Sequence, residues 1–155
     1  MKLPADFREF VELMISNNVS FVMIGGYAFN LYGNPRATGD IDFFVSCDSG
    51  NELKLRQVLT DFGFGSTLPE GRPLIEEGKL LMLGRAPFRI DLITRIDGVE
   101  FSEALASAWE FSIDELTVPV ISPELLLQNK LAAGRPKDLE DAEQLRDYLD
   151  GNKHE

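Results

Sequence analysis

Asp40-Ile41-Asp42-Phe43-Phe44-Val45 decides how this chain is read. Side chains in a strand alternate with a period of two. A buried strand over Ile41 to Val45 therefore puts Asp40 and Asp42 on one face, with Ile41 and Phe43 turned to the core. Arg89-Ile90-Asp91-Leu92-Ile93 repeats the arrangement, with Asp91 between core-facing Ile90 and Leu92. Three carboxylates set in apolar strands are costly, and when brought together they repel and raise one another's pKa. A divalent cation removes that penalty. Mg²⁺ prefers oxygen ligands, keeps some of its waters and binds through one or two carboxylates plus substrate phosphates. Two such ions ~4 Å apart stabilise both the attacking and the leaving oxygen of an in-line displacement.

A second element precedes the aspartates. Phe21-Val22-Met23-Ile24 is a short apolar run of strand formers that ends at Gly25-Gly26, after which Tyr27 to Tyr32 suits a short helix. Glycine lets a backbone approach a ligand closely, and a helix N-terminus offers free N–H groups to an anion. Gly25-Gly26 is therefore a phosphate cradle next in order to a metal site, although taken alone it is equally a tight strand-to-helix turn. Arg36 and Thr38 lie on the connecting loop, and Arg36 is suited to a two-pronged contact with a phosphate.

Gly25-Gly26, then Arg36-Ala37-Thr38-Gly39-Asp40-Ile41-Asp42, then Ile90-Asp91-Leu92, resembles the nucleotidyltransferase superfamily that includes DNA polymerase beta. The likeness is to its small bacterial "minimal" members and abortive-infection toxin relatives. Lys130-Leu-Ala-Ala-Gly-Arg135-Pro-Lys137-Asp138-Leu-Glu-Asp141 resembles their C-terminal helical motif. The resemblance runs from about Val19 to Leu149. It departs at Gly25-Gly26, where the wider superfamily often has Gly-Ser, so a phosphate-contacting hydroxyl is missing.

The resemblance implies an α+β fold: a mixed sheet flanked by helices, with a C-terminal helical hairpin over about 122–149. Asp40, Asp42 and Asp91 would bind metal, Mg²⁺ with Mn²⁺ as a substitute, and Asp91 would act as base toward the acceptor. Lys130 would reach the phosphates and join the three aspartates as a catalytic residue. Gly25, Gly26, Arg36, Thr38, Lys130 and Arg135 would hold a nucleoside triphosphate, while Lys137, Asp138 and Asp141 would shape the far wall or acceptor site. The chemistry would be in-line attack of a hydroxyl on the α-phosphorus, releasing pyrophosphate. The hydroxyl would belong to a protein, a small molecule or a tRNA end. Two other readings stay open: a nucleotide-binding module without chemistry, and one half of a toxin–antitoxin pair acting with a partner protein.

The chain has 155 residues, 44% of them hydrophobic, which suits one ordinary globular domain. A chain of that size buries roughly 70% of the surface its unfolded form exposes. No apolar run reaches the ~18 residues of a membrane span, and the first residues do not lead into a signal peptide. Cytoplasmic location is the expectation. The formal net charge of −11 disfavours a nucleic-acid partner, which needs a basic face, without excluding a local basic strip. The single cysteine, Cys47, excludes an intramolecular disulfide and reads as a small buried residue.

The remaining pattern predicts helices over Asp6 to Asn17 with Asp6 as cap, Asn51 to Phe62 with Leu53 on its inner face, and Glu103 to Ala108. Two more follow, one starting at Ser122-Pro123 and ending at Gly134, the other over Lys137 to Leu149. Strands are expected over Lys79 to Leu83, Phe88 to Thr94, Glu110 to Ile113 and Leu116 to Val120, with a turn near Gly84 to Pro87. Trp109 and the phenylalanines read as core, and His154 carries no function. Lys130 is as well explained by a helix C-terminus, where the dipole favours a cation, and Arg135 to Asp138 by an interhelical turn.

Overall fold

The run Phe21–Ile24 forms strand β1, and all four of its residues are buried, as expected of a strand of consecutive apolar side chains at the centre of a sheet. The structure is a computed structural model that describes residues 1–85 and 87–152. The other strands are β2 (Asp40–Val45), β3 (Leu80–Arg85), β4 (Phe88–Ile93), β5 (Trp109–Ile113) and β6 (Leu116–Val120). They form one mixed sheet in the order β3-β4-β2-β1-β6-β5. β2 runs antiparallel to β1 and parallel to β4, and β1 runs parallel to β6. The helices are α1 (Ala5–Ser16), α2 (Gly25–Tyr32), α3 (Ser49–Leu59), α4 (Phe101–Ala106), α5 (Pro123–Ala133) and α6 (Pro136–Asn152). The α+β architecture is the expected one.

Alternation in β2 works as the sequence requires. Ile41 and Phe43 are fully buried, with Phe10 of α1 packed 6.1 Å from Phe43 between ring centres. On the other face Phe44 meets Phe101 of α4 edge-on at 5.1 Å. Covering both faces at this end of β2 fixes the register, because a slip of one residue would bury Asp42 in the α1 layer. Truncating either Phe43 or Phe44 to Ala should cost about 3–5 kcal/mol. The C-terminal hairpin is set by its caps: Ser122 Oγ accepts from Leu125 N at 3.2 Å, Pro123 opens α5, and Gly134 closes it with φ +67°.

Several local expectations need correction. Pro4, not Asp6, occupies the cap of α1, and Asp6 lies in the first turn, where its charge meets the helix dipole. α3 starts earlier than expected because Asp48 caps it by accepting from Asn51 N at 2.9 Å, and it turns Leu53 outward, 69% exposed. Cys47 lies just past the end of β2 and is exposed. Trp109 and Phe88 are partly open, Trp109 on an edge strand and Phe88 at the start of β4. Position 86, within the expected turn, and His154 lie outside the described residues.

Candidate active site

Strand register assembles the carboxylates. Ile24 of β1, Asp42 of β2, Asp91 of β4 and Met82 of β3 stand in one row across four adjacent strands, and Asp40 stands beside Arg89 in the next row. Directly paired residues point to the same face, so Asp40, Asp42 and Asp91 share a face as predicted. Asp91 is 4% exposed.

Arg89, two residues before Asp91, belongs to the same face and was not singled out from the sequence. Its Nε donates to Asp91 Oδ1 at 2.8 Å, and its Nη2 donates to Asp91 Oδ2 and to Asp40 Oδ2, both at 3.0 Å. One guanidinium thus joins two of the three acids. The alternation that placed Asp40 with Asp42 is the signal that would have found it. Asp42 receives no such bond. Burial above all pushes its carboxyl up to about 7, helped by a hydrogen bond of its protonated form to Asp91 and by repulsion from Asp91 and Asp40, with Arg89 opposing.

Gly25 and Gly26 form the first turn of α2, immediately beside this row. Gly25 has φ +71°, and a Cβ there would overlap the carboxylate of Asp42. A Cβ on Gly26 would come within 2.8 Å of Thr38 Oγ1. Gly25 is therefore required by its backbone conformation and by close approach, a side chain at Gly26 would have to move Thr38 aside, and the start of α2, the Thr38 loop and Asp42 converge. Asn30 secures that loop, donating to Arg36 O at 2.7 Å and accepting from Arg36 N at 3.1 Å.

Among the described residues no three His, Cys, Asp or Glu side chains are drawn together as a formed metal site. The donor set nevertheless suits a hard divalent ion. It is all oxygen, burial and then the neighbouring carboxylates push Asp42 up, and its existing counter-charge is an arginine. Arg89 provides the positive charge that the sequence argument assigned to a metal.

The charged side chains of the C-terminal motif pair with one another and with Arg36. Arg36 holds buried Asp141 with two parallel bonds, Nη1 to Oδ1 at 2.8 Å and Nη2 to Oδ2 at 3.0 Å. Lys130 Nζ lies 2.8 Å from Asp141 Oδ2 and 3.6 Å from Asp138 Oδ1. Arg135 Nε donates to Asp138 Oδ2 at 2.7 Å, while Lys137 is exposed. Arg36 and Lys130 both stand over the ring of Phe29 in α2, at 4.5 and 5.8 Å. For Asp141, burial pushes the carboxyl up, but hydrogen bonds and attraction from Arg36 and Lys130 outweigh it and hold the group below its ordinary value. Asp138 is held low by its hydrogen bond from Arg135. The motif thus forms an ion-pair cluster tying α5 and α6 to the loop that carries Thr38.

The chain matches, over residues 4–155, the family model described as nucleotidyl transferase of unknown function (DUF2204). It belongs to that nucleotidyl transferase family. No curated protein matches it in sequence. Among solved structures it is similar to the antibiotic-resistance factor ANT(2'')-Ia, at 18% identity and TM-score 0.60, with 93% of this chain and 82% of that one covered. A second is the lincosamide antibiotic adenylyltransferase LnuA in its lincomycin-bound form, at 14% identity and TM-score 0.50, covering 94% and 97%. A nucleotidyltransferase assignment from Thermotoga maritima matches at 18% identity and TM-score 0.55, covering 94% and 91%. At these identities the structural neighbours establish the nucleotidyltransferase fold of the DUF2204 chain, in line with the resemblance read from its motifs. No helix among the described residues is long and apolar enough to cross a membrane.

Proposed function

We propose that this DUF2204 protein transfers a nucleoside monophosphate from a nucleoside triphosphate to a hydroxyl acceptor in a divalent-metal-dependent reaction. The observation that carries this reading is the row Ile24-Asp42-Asp91, with Gly25 and Gly26 opening a helix at its end. The N–H groups at the start of α2, with Thr38 beside them, would hold the phosphates. Asp40, Asp42 and Asp91 would hold Mg²⁺, which supplies charge neutralisation at the phosphates and at both in-line oxygens. The acceptor oxygen attacks the α-phosphorus, the bond to the bridging α–β oxygen breaks, and pyrophosphate leaves. Asp91 would take the hydroxyl proton, and Arg89, which donates to both of its oxygens, would have to release it to do so. Asp141 keeps Arg36 and Lys130 beside the Thr38 loop, so any phosphate contact by these cations competes with it.

ANT(2'')-Ia and LnuA act on antibiotics, which favours a small-molecule acceptor over a macromolecular one here. Incubation with labelled nucleoside triphosphates, Mg²⁺ and candidate acceptors should give a labelled product, and Asp42→Ala should abolish it. Full labelling by that variant would overturn these roles.

One observation favours a second reading, that of a nucleotide-binding module. Arg89 already pairs with both Asp40 and Asp91, which gives two of the three acids a counter-charge from the chain itself. Calorimetry showing nucleotide binding unaffected by Mg²⁺, with no turnover across acceptors, would select it.

A further inference from the structure

The face that carries the carboxylates continues beyond them. One row below Asp42-Asp91-Met82 stands Phe44-Ile93-Leu80, set by the same register. Below that row, at the ends of β2 and β4, a cavity of about 770 Å³ opens between the strand ends, the loop after β4 and α4. Its lining is predominantly polar: Glu77, Asp97, Glu100 and Glu103 stand against the single cation Arg95, with Phe44, Val99 and Phe101 as the apolar part. Arg95 is already paired with Glu77, at 3.2 Å. On β3 the same face is apolar and open: Leu80 is 50% exposed and Met82 55%.

In-line chemistry sorts the two sides. The leaving pyrophosphate must lie toward the start of α2 and the Thr38 loop, at the upper end of this face. The attacking oxygen must therefore come from the opposite side of the α-phosphorus, down the face toward Ile93 and Leu80. A molecule whose hydroxyl reaches Asp91 there lies along the Leu80 strip with its far end in the cavity. Thr94 and Arg95, the first residues after β4 that line the cavity, lie three and four positions beyond Asp91, about 10–13 Å along an extended chain, and Arg95 brings its partner Glu77 to that point.

We infer that this strip and cavity form the acceptor subsite, and that the acceptor is an amphipathic cation: a hydroxyl and an ammonium about 10–13 Å apart, joined by an apolar segment. The inference rests on the transferase reading and adds the acceptor class to it. Charge decides the sign. A carboxylate-bearing ligand would meet an excess of lining carboxylates, whereas an ammonium supplies the counter-charge they lack.

The test uses 8-amino-1-octanol, with 1,8-octanediol, 8-hydroxyoctanoic acid and 3-amino-1-propanol as neutral, anionic and short controls. Cys47 lines the cavity and is the chain's one cysteine, so the rate of its alkylation by iodoacetamide, taken relative to the ligand-free rate of the same variant, reports occupancy. The long amino alcohol should slow alkylation at concentrations at least about tenfold below those needed by any control. Glu77→Gln combined with Asp97→Asn should weaken that protection about tenfold or more, while Asp97→Glu retains it. Equal protection by the diol or the hydroxy acid, or no protection by the amino alcohol, overturns the inference. Nucleotide binding, titrated separately by calorimetry with Mg²⁺, keeps the two claims apart. Nucleotide binding without amine protection removes the acceptor assignment alone, and amine protection without nucleotide binding removes the transferase reading.

Discussion

The Asp42 carboxylate lies in the space that a side chain on Gly25 would need. The cradle and the acid are therefore one unit, and a methyl group added at residue 25 must displace one of them. Gly25→Ala also meets backbone strain at φ +71°. Gly71 is the matched control, with φ +74° and nothing within 4 Å of an added Cβ. Gly71→Ala should lose about 1 kcal/mol in urea unfolding, from strain alone. Gly25→Ala should lose at least about 2 kcal/mol and also lose nucleotide binding. Equal losses in the two variants would mean that Asp42 does not press on the helix start.

Asp42 makes a pH prediction for the metal-free protein. Its folded carboxyl titrates at about 7 against an ordinary 3.8, so the folded state holds the proton more tightly than the unfolded chain. The resulting stabilisation is full below about pH 4 and is lost as pH rises toward about 7. Asp42→Asn keeps the neutral form at every pH. In EDTA it should be no more stable than wild type at pH 4 and more stable by on the order of 2–4 kcal/mol at pH 8. Transfer activity should meanwhile be lost. A constant difference between the two proteins from pH 4 to pH 8 would show that burial and the neighbouring acids do not raise the Asp42 carboxyl.

Arg89 predicts how metal is felt. Its guanidinium joins Asp40 and Asp91, so a cation entering between them has a competitor already in place. Replacing it by Gln leaves the acids with only neutral donors. Arg89→Gln should lower Tm without metal, and added Mg²⁺ should raise Tm more in the variant than in wild type. The check is a thermal melt series from zero to 10 mM Mg²⁺, with the 10 mM limit set at roughly physiological excess. No Mg²⁺ response in either protein would favour the module reading.

What the sequence disclosed and what it concealed follow a physical boundary. Asp40, Asp42 and Asp91 were legible because strand alternation is local: a period of two assigns each face without knowledge of the rest of the fold. Arg89 obeys the same period, but a cation beside acids reads as surface charge until the neighbouring strand is known. For Cys47, Leu53, Trp109 and Phe88 apolar type does not imply burial: strand ends expose Cys47 and Phe88, an edge strand exposes Trp109, and the outer face of α3 exposes Leu53. The partner of Arg36 was beyond local reading altogether. Asp141 is 105 positions away, and no periodicity links a loop cation to an acid on the last helix. Spacing within Lys130 to Asp141 disclosed that these charges belong together, but not that they pair with one another instead of reaching the aspartates.

That cluster supplies the opposite pH signature to Asp42. Asp141 is 1% exposed and carries two cations, Arg36 and Lys130. Burial favours its neutral form, yet the two partners prevail and hold its carboxyl below the ordinary range. A depressed folded pKa gives stability that is present above the unfolded value near 3.9 and lost as pH falls through the folded one. Asp141→Asn removes the charge and leaves Arg36 and Lys130 facing an amide. Lys130 is 14% exposed and cannot recover full hydration, whereas Arg36 at 34% can in part. The loss at pH 7 should therefore sit at the low end for a broken buried pair, about 3 kcal/mol. As pH falls below the unfolded value and through the depressed folded one, the wild-type carboxyl is itself neutralised and the gap should narrow. Freed from the acid, Arg36 also becomes available to a phosphate, so the variant should bind inorganic triphosphate at least as well as wild type even though it is less stable. Urea titrations at pH 7 and pH 2.5 with calorimetry of triphosphate binding check both parts. A gap that persists unchanged at pH 2.5 would show that packing of the Asp141 side chain, and not its charge, ties α6 to the Thr38 loop.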